Sequence, residues 1–436
     1  APAPAASPET PPDPDQANPA KKIWSGDGGM RIQAANPDTD EADTKLWRSR
    51  RFSLNVEGLG LGDVDGDGNT EVVFVSENQM AVYRYKDQAF LKVAETELAP
   101  RLVAIGLDVA DINGNGRAEV FISSRSENYY PHSYVLEWDG SAFQNVYDAP
   151  NWYFRVGWNP QNKKRTLFGQ KGSARSVIAG PVYTLAWING AYEPQDKILL
   201  PDGASVFGFA QGDLTGNGTA DTMAFIKSDQ LQLSSIGRQE EWTSVDPYGG
   251  KYTWLITAEE FKLGQRLNRT NVDPLPDTLF FIPQRILLTD VDRDGRNEVL
   301  CVWEGEIQVR DGVTGALKCA GPLPSMQPYP DVFKENMAHW GAGFSDEGPA
   351  MHPSCLAFAD LEGRGAARDI LLCDHSPLQV AMGPDLKEKW RDVTSHGHFP
   401  QAHDFDGDGR DDVLAGYHRL SPDGERLGRL HLEDHQ

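Results

Sequence analysis

Short apolar runs bounded by glycine, asparagine and aspartate recur along the chain from about residue 59 onward. The first four runs are Leu59–Leu61, Glu71–Val75, Met80–Tyr85 and Phe90–Val93. Runs of this length that are rich in β-branched and aromatic side chains are typical of strands. The chain lacks the sustained periodicity of long amphipathic helices. The pattern therefore predicts an all-β fold.

Five acidic loops of one type precede several of these runs. They occupy residues 63–71, 111–119, 213–221, 290–298 and 404–412. In each loop, side chains that carry oxygen stand mainly at positions 1, 3, 5 and 9, and glycine always stands at position 6. Ca²⁺ prefers about six to eight oxygen ligands, and a tight turn supplies them when glycine permits the bend. Position 7, where the residue type varies, would offer its backbone carbonyl.

The loops therefore predict calcium as the bound ion. The predicted metal-site residues are Asp63, Asp65, Asp67, Asn69, Glu71, Asp111, Asn113, Asn115, Arg117, Glu119, Asp213, Thr215, Asn217, Thr219, Asp221, Asp290, Asp292, Asp294, Arg296, Glu298, Asp404, Asp406, Asp408, Arg410 and Asp412. A polar Asp/Gly turn without an ion is the alternative, but five copies, each followed by an apolar run, favour the metal. An EF-hand is excluded because its loop has about twelve residues between two helices.

The five loops differ in acid content. The loops that begin at Asp63, Asp290 and Asp404 carry acids at positions 1, 3 and 5 and are the strongest candidates. The Asp213 loop has Thr215 and Asn217 at positions 3 and 5, and we expect it to bind calcium more weakly.

The loops also mark a repeat. With a degenerate sixth copy at 360–369, their first aspartates are 48, 102, 77, 70 and 44 residues apart. The longest gap holds a hidden unit at about 160–205, and insertions fall at about 243–280 and 322–350. Seven units of this size predict a seven-bladed β-propeller with calcium-binding loops between blade strands. Residues 23–436 would form this single domain, preceded by a Pro/Ala-rich disordered tail or linker at 1–22.

The sixth copy departs from the pattern. Arg364 stands at position 5, where an acid belongs, and Arg368 stands at position 9. Guanidinium groups do not ligate cations, so we expect no metal there. We expect Arg364 to pair with Asp360 or Glu362 instead.

The loop motif, placed between two strands of a repeated unit, resembles the FG-GAP/VCBS repeat family, which includes the propellers of integrin α-subunits. The resemblance covers about residues 45–436. It implies a β-propeller whose loops bind Ca²⁺, with the family's motif falling on Asp63, Asp65, Asp67, Asn69 and Glu71 and on the matching positions of the other loops. It does not imply one activity, because propellers host many functions.

The composition is strongly acidic, with a formal net charge of −23. Five divalent ions would bring the net charge from −23 to −13. Ion binding therefore explains much of the acidity. The charge disfavours nucleic-acid binding, which uses basic patches. No apolar run reaches the ~20 residues that span a bilayer. The Ala/Pro-rich start resembles the tail that is left after a signal peptide is cleaved, and a spacer from a membrane or cell-wall anchor is the alternative. We therefore expect a secreted, extracellular or periplasmic protein.

The four cysteines all follow residue 300. Cys355 and Cys373 flank the degenerate loop and would lie opposite each other across its hairpin. A disulfide between them and buried thiols inside strands are both open.

Residues from about 300 to 436 also resemble the propeller segments of rhamnogalacturonan lyases, on stretches such as Asp385–Trp390 and His396–Pro400. The resemblance implies β-elimination on uronate chains, which needs a positive charge, a base and an acid. The candidate catalytic residues are His398, His403, Tyr417, Lys389 and Arg391. Surface histidines and a strand tyrosine explain the same residues without catalysis.

Two functions follow from these observations. The first is a secreted, calcium-stabilised propeller that acts as a binding or assembly module for carbohydrate or extracellular protein, and is not an enzyme. The alternative is a polysaccharide lyase. Aromatic residues such as Trp152, Tyr153 and Phe154 suit stacking on sugars if they lie on loops, and core packing if they lie in strands.

Overall fold

A computed structural model describes residues 56–429, except 57, 77, 88, 127–129, 160–161, 163, 173–179, 201–203, 220, 226–230, 236–239, 246–255, 258–266, 269–285, 304–305, 325–352, 366–368, 375–378, 393–400 and 416–417. The described residues form strands and turns, and they include no helix that is long and apolar enough to cross a membrane. The predicted tail at 1–22 and the insertion at 322–350 lie almost entirely outside this part of the chain.

Seven antiparallel sheets, numbered here in chain order, account for most of the described chain. Sheet 1 contains β1 (Gly58–Gly62), β2 (Glu71–Val75), β3 (Gln79–Lys86) and β4 (Ala89–Glu97). Sheet 2 contains β5 (Leu102–Ala110), β6 (Glu119–Ser126), β7 (His132–Trp138) and β8 (Phe143–Pro150). Sheet 3 contains β9 (Trp152–Asn159), β10 (Lys164–Lys171), β11 (Val182–Ile188) and β12 (Ala191–Lys197). Sheet 4 contains β13 (Phe209–Gly212), β14 (Asp221–Phe225), β15 (Leu231–Ser235) and β16 (Glu240–Thr243).

The remaining sheets follow two very short strands, β17 (Ile256–Thr257) and β18 (Leu267–Asn268). Sheet 5 contains β19 (Ile286–Thr289), β20 (Glu298–Trp303), β21 (Glu306–Arg310) and β22 (Leu317–Pro322). Sheet 6 contains β23 (Pro353–Ala359), β24 (Asp369–Asp374), β25 (Gln379–Met382) and β26 (Glu388–Asp392). Sheet 7 contains β27 (Gln401–His403), β28 (Asp412–Ala415), β29 (His418–Leu420) and β30 (Arg426–Arg429).

The two short strands extend two of the sheets at their first strands. β17 pairs in parallel with β19, and β18 pairs antiparallel with β1 through Gly58 and Leu59. Both strands come from the insertion predicted at 243–280. This insertion therefore contributes strands to sheets 1 and 5, a role that the sequence did not indicate.

Most of the sheets pack against the next one along the chain through apolar side chains. One buried cluster joins Val73 and Val82 of sheet 1 to Val120 and Ile122 of sheet 2. Further clusters join sheets 2, 3 and 4, sheets 5 and 6, and sheets 6 and 7. Among the described residues, none of the sheets closes on itself. The fold is thus a row of four-stranded units in which the core lies between neighbouring sheets.

The hidden unit expected at about 160–205 is present as sheet 3, which begins earlier, at Trp152. Its residues Trp152, Tyr153 and Phe154 are buried in β9, which agrees with core packing rather than with an exposed sugar-binding loop. The register of sheet 6 sets Cys355 opposite Cys373, as expected, whereas a disulfide between them stays a prediction. Cys301 is buried and Cys319 is exposed.

Candidate metal-binding loops

The acidic loops lie at the same place in six of the seven described sheets, between the first and second strands. The position-1 aspartate holds the loop backbone by accepting N–H groups from later positions. Asp63 accepts from Gly66 at 2.7 Å and from Gly68 at 2.8 Å. Asp111, Asp213, Asp290 and Asp404 accept from the loop backbone in the same way.

Two positions of each loop have left-handed backbone. In the Asp63 loop these are Gly66 (φ 77°) at position 4 and Gly68 (φ 88°) at position 6. Glycine adopts such φ values without the steric cost that Cβ imposes. The sequence indicated this need at position 6 only. The Asp290 loop has Arg293 at position 4 (φ 71°), so this position tolerates another residue.

The position-9 carboxylate is the first residue of the second strand and is buried in every loop. Glu71, Glu119, Asp221, Glu298 and Asp412 are at most 2% exposed. Four of these carboxylates also accept the backbone N–H of position 2, at 2.8–3.1 Å, from Val64, Ile112, Leu214 and Val291. Burial raises the pKa of Glu71, Glu298 and Asp412 because water no longer solvates the charge. Position 9 therefore fastens the loop to the sheet.

Three loops bring three carboxylates together, with one oxygen of each within 4.8 Å of the others. The three groups are Asp63, Asp65 and Glu71; Asp290, Asp292 and Asp294; and Asp404, Asp406 and Asp408. They belong to the three loops with the most acids. Carboxylate oxygens at this spacing are the donors that Ca²⁺ prefers, so the residues present fit the ion by their chemistry. The ion itself stays a prediction.

A basic side chain from the same sheet enters each of these three loops. Arg84 of β3 contacts Asp65, lies 2.8 Å from Asp67 and donates to Glu71 at 2.7 Å. The hydrogen bond to Glu71 raises the pKa of the guanidinium, although its partial burial opposes this shift.

In the Asp290 loop, Lys318 of β22 donates to Asp292 at 2.8 Å and to Glu298 at 2.6 Å. In the Asp404 loop, Arg419 of β29 donates to Asp412 at 2.5 Å and to Asp406 at 3.3 Å. These basic residues were not predicted from the sequence. They lie 7 to 20 residues beyond the position-9 acids that they meet, and strand pairing alone brings them back.

In the Asp111 loop, the side chain that meets positions 3 and 5 is acidic instead of basic. Asn113 and Asn115 replace two acids, and their side-chain amides donate to Glu137 of β7 at 2.6 and 2.9 Å. The buried Glu119 accepts the hydroxyl of Tyr192, which belongs to sheet 3. Burial raises the pKa of Glu119 to about 7, although the Tyr192 hydrogen bond opposes the shift. This loop therefore satisfies its polar groups without a basic residue at the acids.

The degenerate loop keeps the same frame. Asp360 accepts the N–H groups of Arg364 at 2.9 Å and Gly365 at 2.5 Å. The loop is one residue longer than the others, so Asp369, not Arg368, takes the role of position 9 and accepts from Leu361 at 3.1 Å. Arg364 pairs with Glu362 at 2.6 Å, as predicted. Lys389 enters the loop and lies 2.9 Å from Glu362 and 2.6 Å from Asp369.

The candidate catalytic residues are only partly described. Lys389 makes the loop contacts given above, and Arg391 pairs with its strand neighbour Glu388. The exposed His403 packs edge-on against Phe405, with ring centroids 5.3 Å apart. His398 and Tyr417 lie outside the described residues. The structure does not test catalysis by this set, which stays a hypothesis.

Loops of neighbouring sheets are also joined to one another. The position-8 N–H of one loop donates to the position-1 carbonyl of the preceding loop: Ala118 to Asp63 at 2.7 Å, Asn297 to Asp213 at 2.9 Å, and Asp411 to Asp360 at 2.9 Å. The position-7 arginines of these later loops lie over position 4 of the preceding loop. A Cβ atom at Gly66 would be 3.0 Å from the Cγ of Arg117, and Arg296 and Arg410 lie likewise against Gly216 and Gly363.

Comparisons with known proteins agree with the repeat. Residues 63–122 match the family described as FG-GAP-like repeat. No curated protein matches the chain. Among solved structures, BBS1N in complex with ARL6DN has 10% identity and a TM-score of 0.46 over 84% of this chain and 89% of that one.

Two further structures are similar at a lower level. BamB from Moraxella catarrhalis has 10% identity and a TM-score of 0.38, with 86% of each chain covered. The exotype rhamnogalacturonan lyase YesX has 13% identity and a TM-score of 0.23, and the match covers 87% of this chain but 50% of YesX. These likenesses are too low to support an argument about function. The family match, which spans the Asp63 and Asp111 loops and the strands between them, identifies this part of the chain as an FG-GAP-like repeat.

Proposed function

We propose that the protein is a calcium-binding β-propeller that acts, outside the cytoplasm, as a binding or assembly module for a carbohydrate or protein partner. One observation carries the proposal. Within the described residues, the same acidic loop recurs between the first and second strands of six sheets, and its carboxylates hold backbone and neighbouring strands. Loops that hold neighbouring strands together in this way suit a rigid scaffold that carries a binding surface.

The propeller architecture is supported by how the sheets follow one another. The first strand of sheet 1 packs on that of sheet 2, which packs on that of sheet 3, and β23 packs on β27 in the same way. In a propeller, first strands line the centre, and closure of the ring protects exposed sheet edges. We therefore propose that the seven sheets are seven blades of one ring.

Calcium fits the loops by donor type. The residues that would hold it are those predicted from the sequence, above all Asp63, Asp65 and Glu71, Asp290, Asp292 and Asp294, and Asp404, Asp406 and Asp408. A bound Ca²⁺ would supply positive charge that cancels the repulsion among these carboxylates. Extracellular calcium is abundant enough for loops of moderate affinity, which favours a location outside the cytoplasm.

A binding role fits the described contacts better than catalysis does. Two of the candidate catalytic residues, Lys389 and Arg391, are engaged by acids of their own sheet or the adjoining loop. Their charges thus already have partners within the scaffold, whereas a lyase needs a positive charge free to meet a uronate carboxylate.

The experiment is a panel of neutral and acidic polysaccharides presented to the purified chain in millimolar Ca²⁺. Binding by calorimetry, without the ultraviolet absorbance of unsaturated uronate products, supports the module. Appearance of that absorbance would replace the module by a lyase. The control is Lys389→Met, which should leave binding intact and would abolish lyase turnover if Lys389 were catalytic.

A further inference from the structure

The buried position-9 carboxylates differ in the side chain from outside the loop that contacts them. In sheets 1, 5 and 7 a basic side chain contacts them: Arg84 at Glu71, Lys318 at Glu298, and Arg419 at Asp412. In the degenerate loop Lys389 contacts Asp369, and in sheet 2 the Tyr192 hydroxyl donates to Glu119. Each of these buried groups therefore has a side-chain partner from outside its own loop.

Asp221, at position 9 of the Asp213 loop, is the exception among the described residues. It is fully buried. Its Oδ2 atom accepts the N–H groups of Leu214 at 3.0 Å and Thr215 at 2.8 Å and the Thr215 hydroxyl at 2.8 Å. Its Oδ1 atom is buried and has no hydrogen-bond partner. A buried carboxylate without a compensating partner is strongly unfavourable, so this oxygen calls for a donor or a cation.

The register explains why the described strands of sheet 4 bring no basic side chain to Asp221. Ser235 pairs with Asp221 where Arg84 pairs with Glu71 in sheet 1. Leu233 pairs two residues beyond Asp221, where sheet 7 has Arg419 two residues beyond Asp412. The bulge in the fourth strand carries Lys318 in sheet 5 and Lys389 in sheet 6, but Glu241 in sheet 4. All three sites that hold basic residues elsewhere are neutral or acidic here.

Arg296 does not supply the partner that Asp221 Oδ1 lacks. It lies over Gly216 of the Asp213 loop, but its charged group is half exposed and lies 3.9 Å from Asp294 of its own loop. Arg117 and Arg410 lie over other loops in the same way, and those loops have internal partners as well. An arginine at position 7 is thus common to these contacts and does not replace the missing partner of Asp221.

We infer that the Asp213 loop, more than any acid-rich loop, couples divalent-cation binding to the stability of the fold, with Asp221 Oδ1 as a ligand. The two carboxylates of this loop, Asp213 and Asp221, match the charge of one divalent ion. The inference rests on the calcium proposed above and reverses the order expected from acid content. The acid-rich loops keep a counter-charge at position 9 when the ion is removed, whereas the Asp213 loop does not.

The test compares thermal unfolding of the full chain in chelator and in millimolar CaCl₂, with calcium binding followed by calorimetry. The wild-type melting temperature should rise by about 4 °C with calcium. Asp221→Asn should lose most of that rise and should not melt lower than wild type in chelator, because it removes an unpaired buried charge. The comparison variant Asp412→Asn should melt lower in chelator, because Arg419 loses its buried partner, and should lose less of the calcium-dependent rise than Asp221→Asn.

Ser235→Arg is a second variant that keeps the inference testable if Asp221→Asn does not fold. It installs the counterpart of Arg84, and should raise the melting temperature in chelator and remove most of the response to calcium. A full calcium response in Asp221→Asn or Ser235→Arg, or a larger loss of the response in Asp412→Asn than in Asp221→Asn, would overturn the inference while leaving calcium binding in place. No calcium binding by wild type would overturn both the inference and the proposed ion.

Discussion

The Asp63 and Asp111 loops share a backbone frame, but they differ in charge at positions 3 and 5, and their third-strand partners have opposite charges. In the Asp63 loop, acids at positions 3 and 5 meet Arg84 from the third strand. In the Asp111 loop, amides at positions 3 and 5 meet Glu137 from the third strand. The loop and the strand therefore form one electrostatic unit, and the number of acids in a loop does not by itself measure its need for a metal.

The largest expected effect comes from breaking this complementarity. Arg84→Glu places a further carboxylate beside Asp65 and the buried Glu71, and we expect a loss of about 3–5 kcal/mol in the free energy of unfolding. Urea denaturation measures it. Lys86→Glu, exposed on the same strand, is the control and should change stability little.

The same comparison becomes sharper when the charges are exchanged. The triple variant Asp65→Asn, Asp67→Asn and Arg84→Glu recreates the Asp111 arrangement in sheet 1 and should recover most of the stability lost by Arg84→Glu alone. A triple variant no more stable than Arg84→Glu would mean that the two loops are not equivalent frames.

The second effect concerns pH and the Asp111 loop in the absence of metal. The folded-state pKa of Glu119, about 7, exceeds the ordinary value of 4.5, so the folded state binds the proton more tightly. The stability that protonated Glu119 adds to the folded state is fully present below pH 4.5 and is lost as pH rises through 7. We expect about 2–3 kcal/mol of unfolding free energy to disappear over this range. In chelator, Glu119→Gln should flatten this part of the profile, whereas the exposed-site control Glu97→Gln should retain it.

A smaller effect tests the contact between the two loops. Arg117 lies over Gly66, and its guanidinium donates to the carbonyl of Trp138 at 2.9 Å. Arg117→Ala removes both the packing and the hydrogen bond, and should cost about 1 kcal/mol in urea denaturation. Arg117→Lys, which keeps an aliphatic stem over Gly66, should lose less. Equal losses in the two variants would contradict a packing role.

The smallest effect belongs to an exposed pair of the same kind. Arg364 pairs with Glu362 in the degenerate loop, but its side chain is 61% exposed. Water screens such pairs, so Arg364→Ala should shift the melting temperature by less than roughly 1 °C. Lys389→Met, which leaves the buried Asp369 without its cation, should lower it clearly more. A large shift in Arg364→Ala would show that the exposed arginine replaces an ion after all.

The sequence predicted the parts of this fold that depend on neighbouring residues. The strands of sheet 1 fall where the apolar runs indicated, and the hidden unit is present as sheet 3. The loop motif gave the right place for position 9 in five loops because each is followed directly by a buried strand. The match of residues 63–122 to the FG-GAP-like repeat agrees with the resemblance inferred from the motif.

The partners of the loops could not be predicted because they depend on register. Lys318 and Lys389 reach their acids from bulges in the fourth strand, and one residue of shift would turn each to the other face. The added residue in the degenerate loop likewise moves position 9 from Arg368 to Asp369. Pairs of this kind are separated along the chain and leave no local pattern.

The pairing of β18 with β1 has a consequence for the order of folding during synthesis. Leu267 and Asn268 pair with the edge of a strand made about 200 residues earlier. Among the described residues, the partner of that edge on this side is complete only when the ribosome has passed residue 268. Unpaired edges invite association with other chains. The nascent N-terminal third therefore passes through a stage at which a chaperone would be most useful.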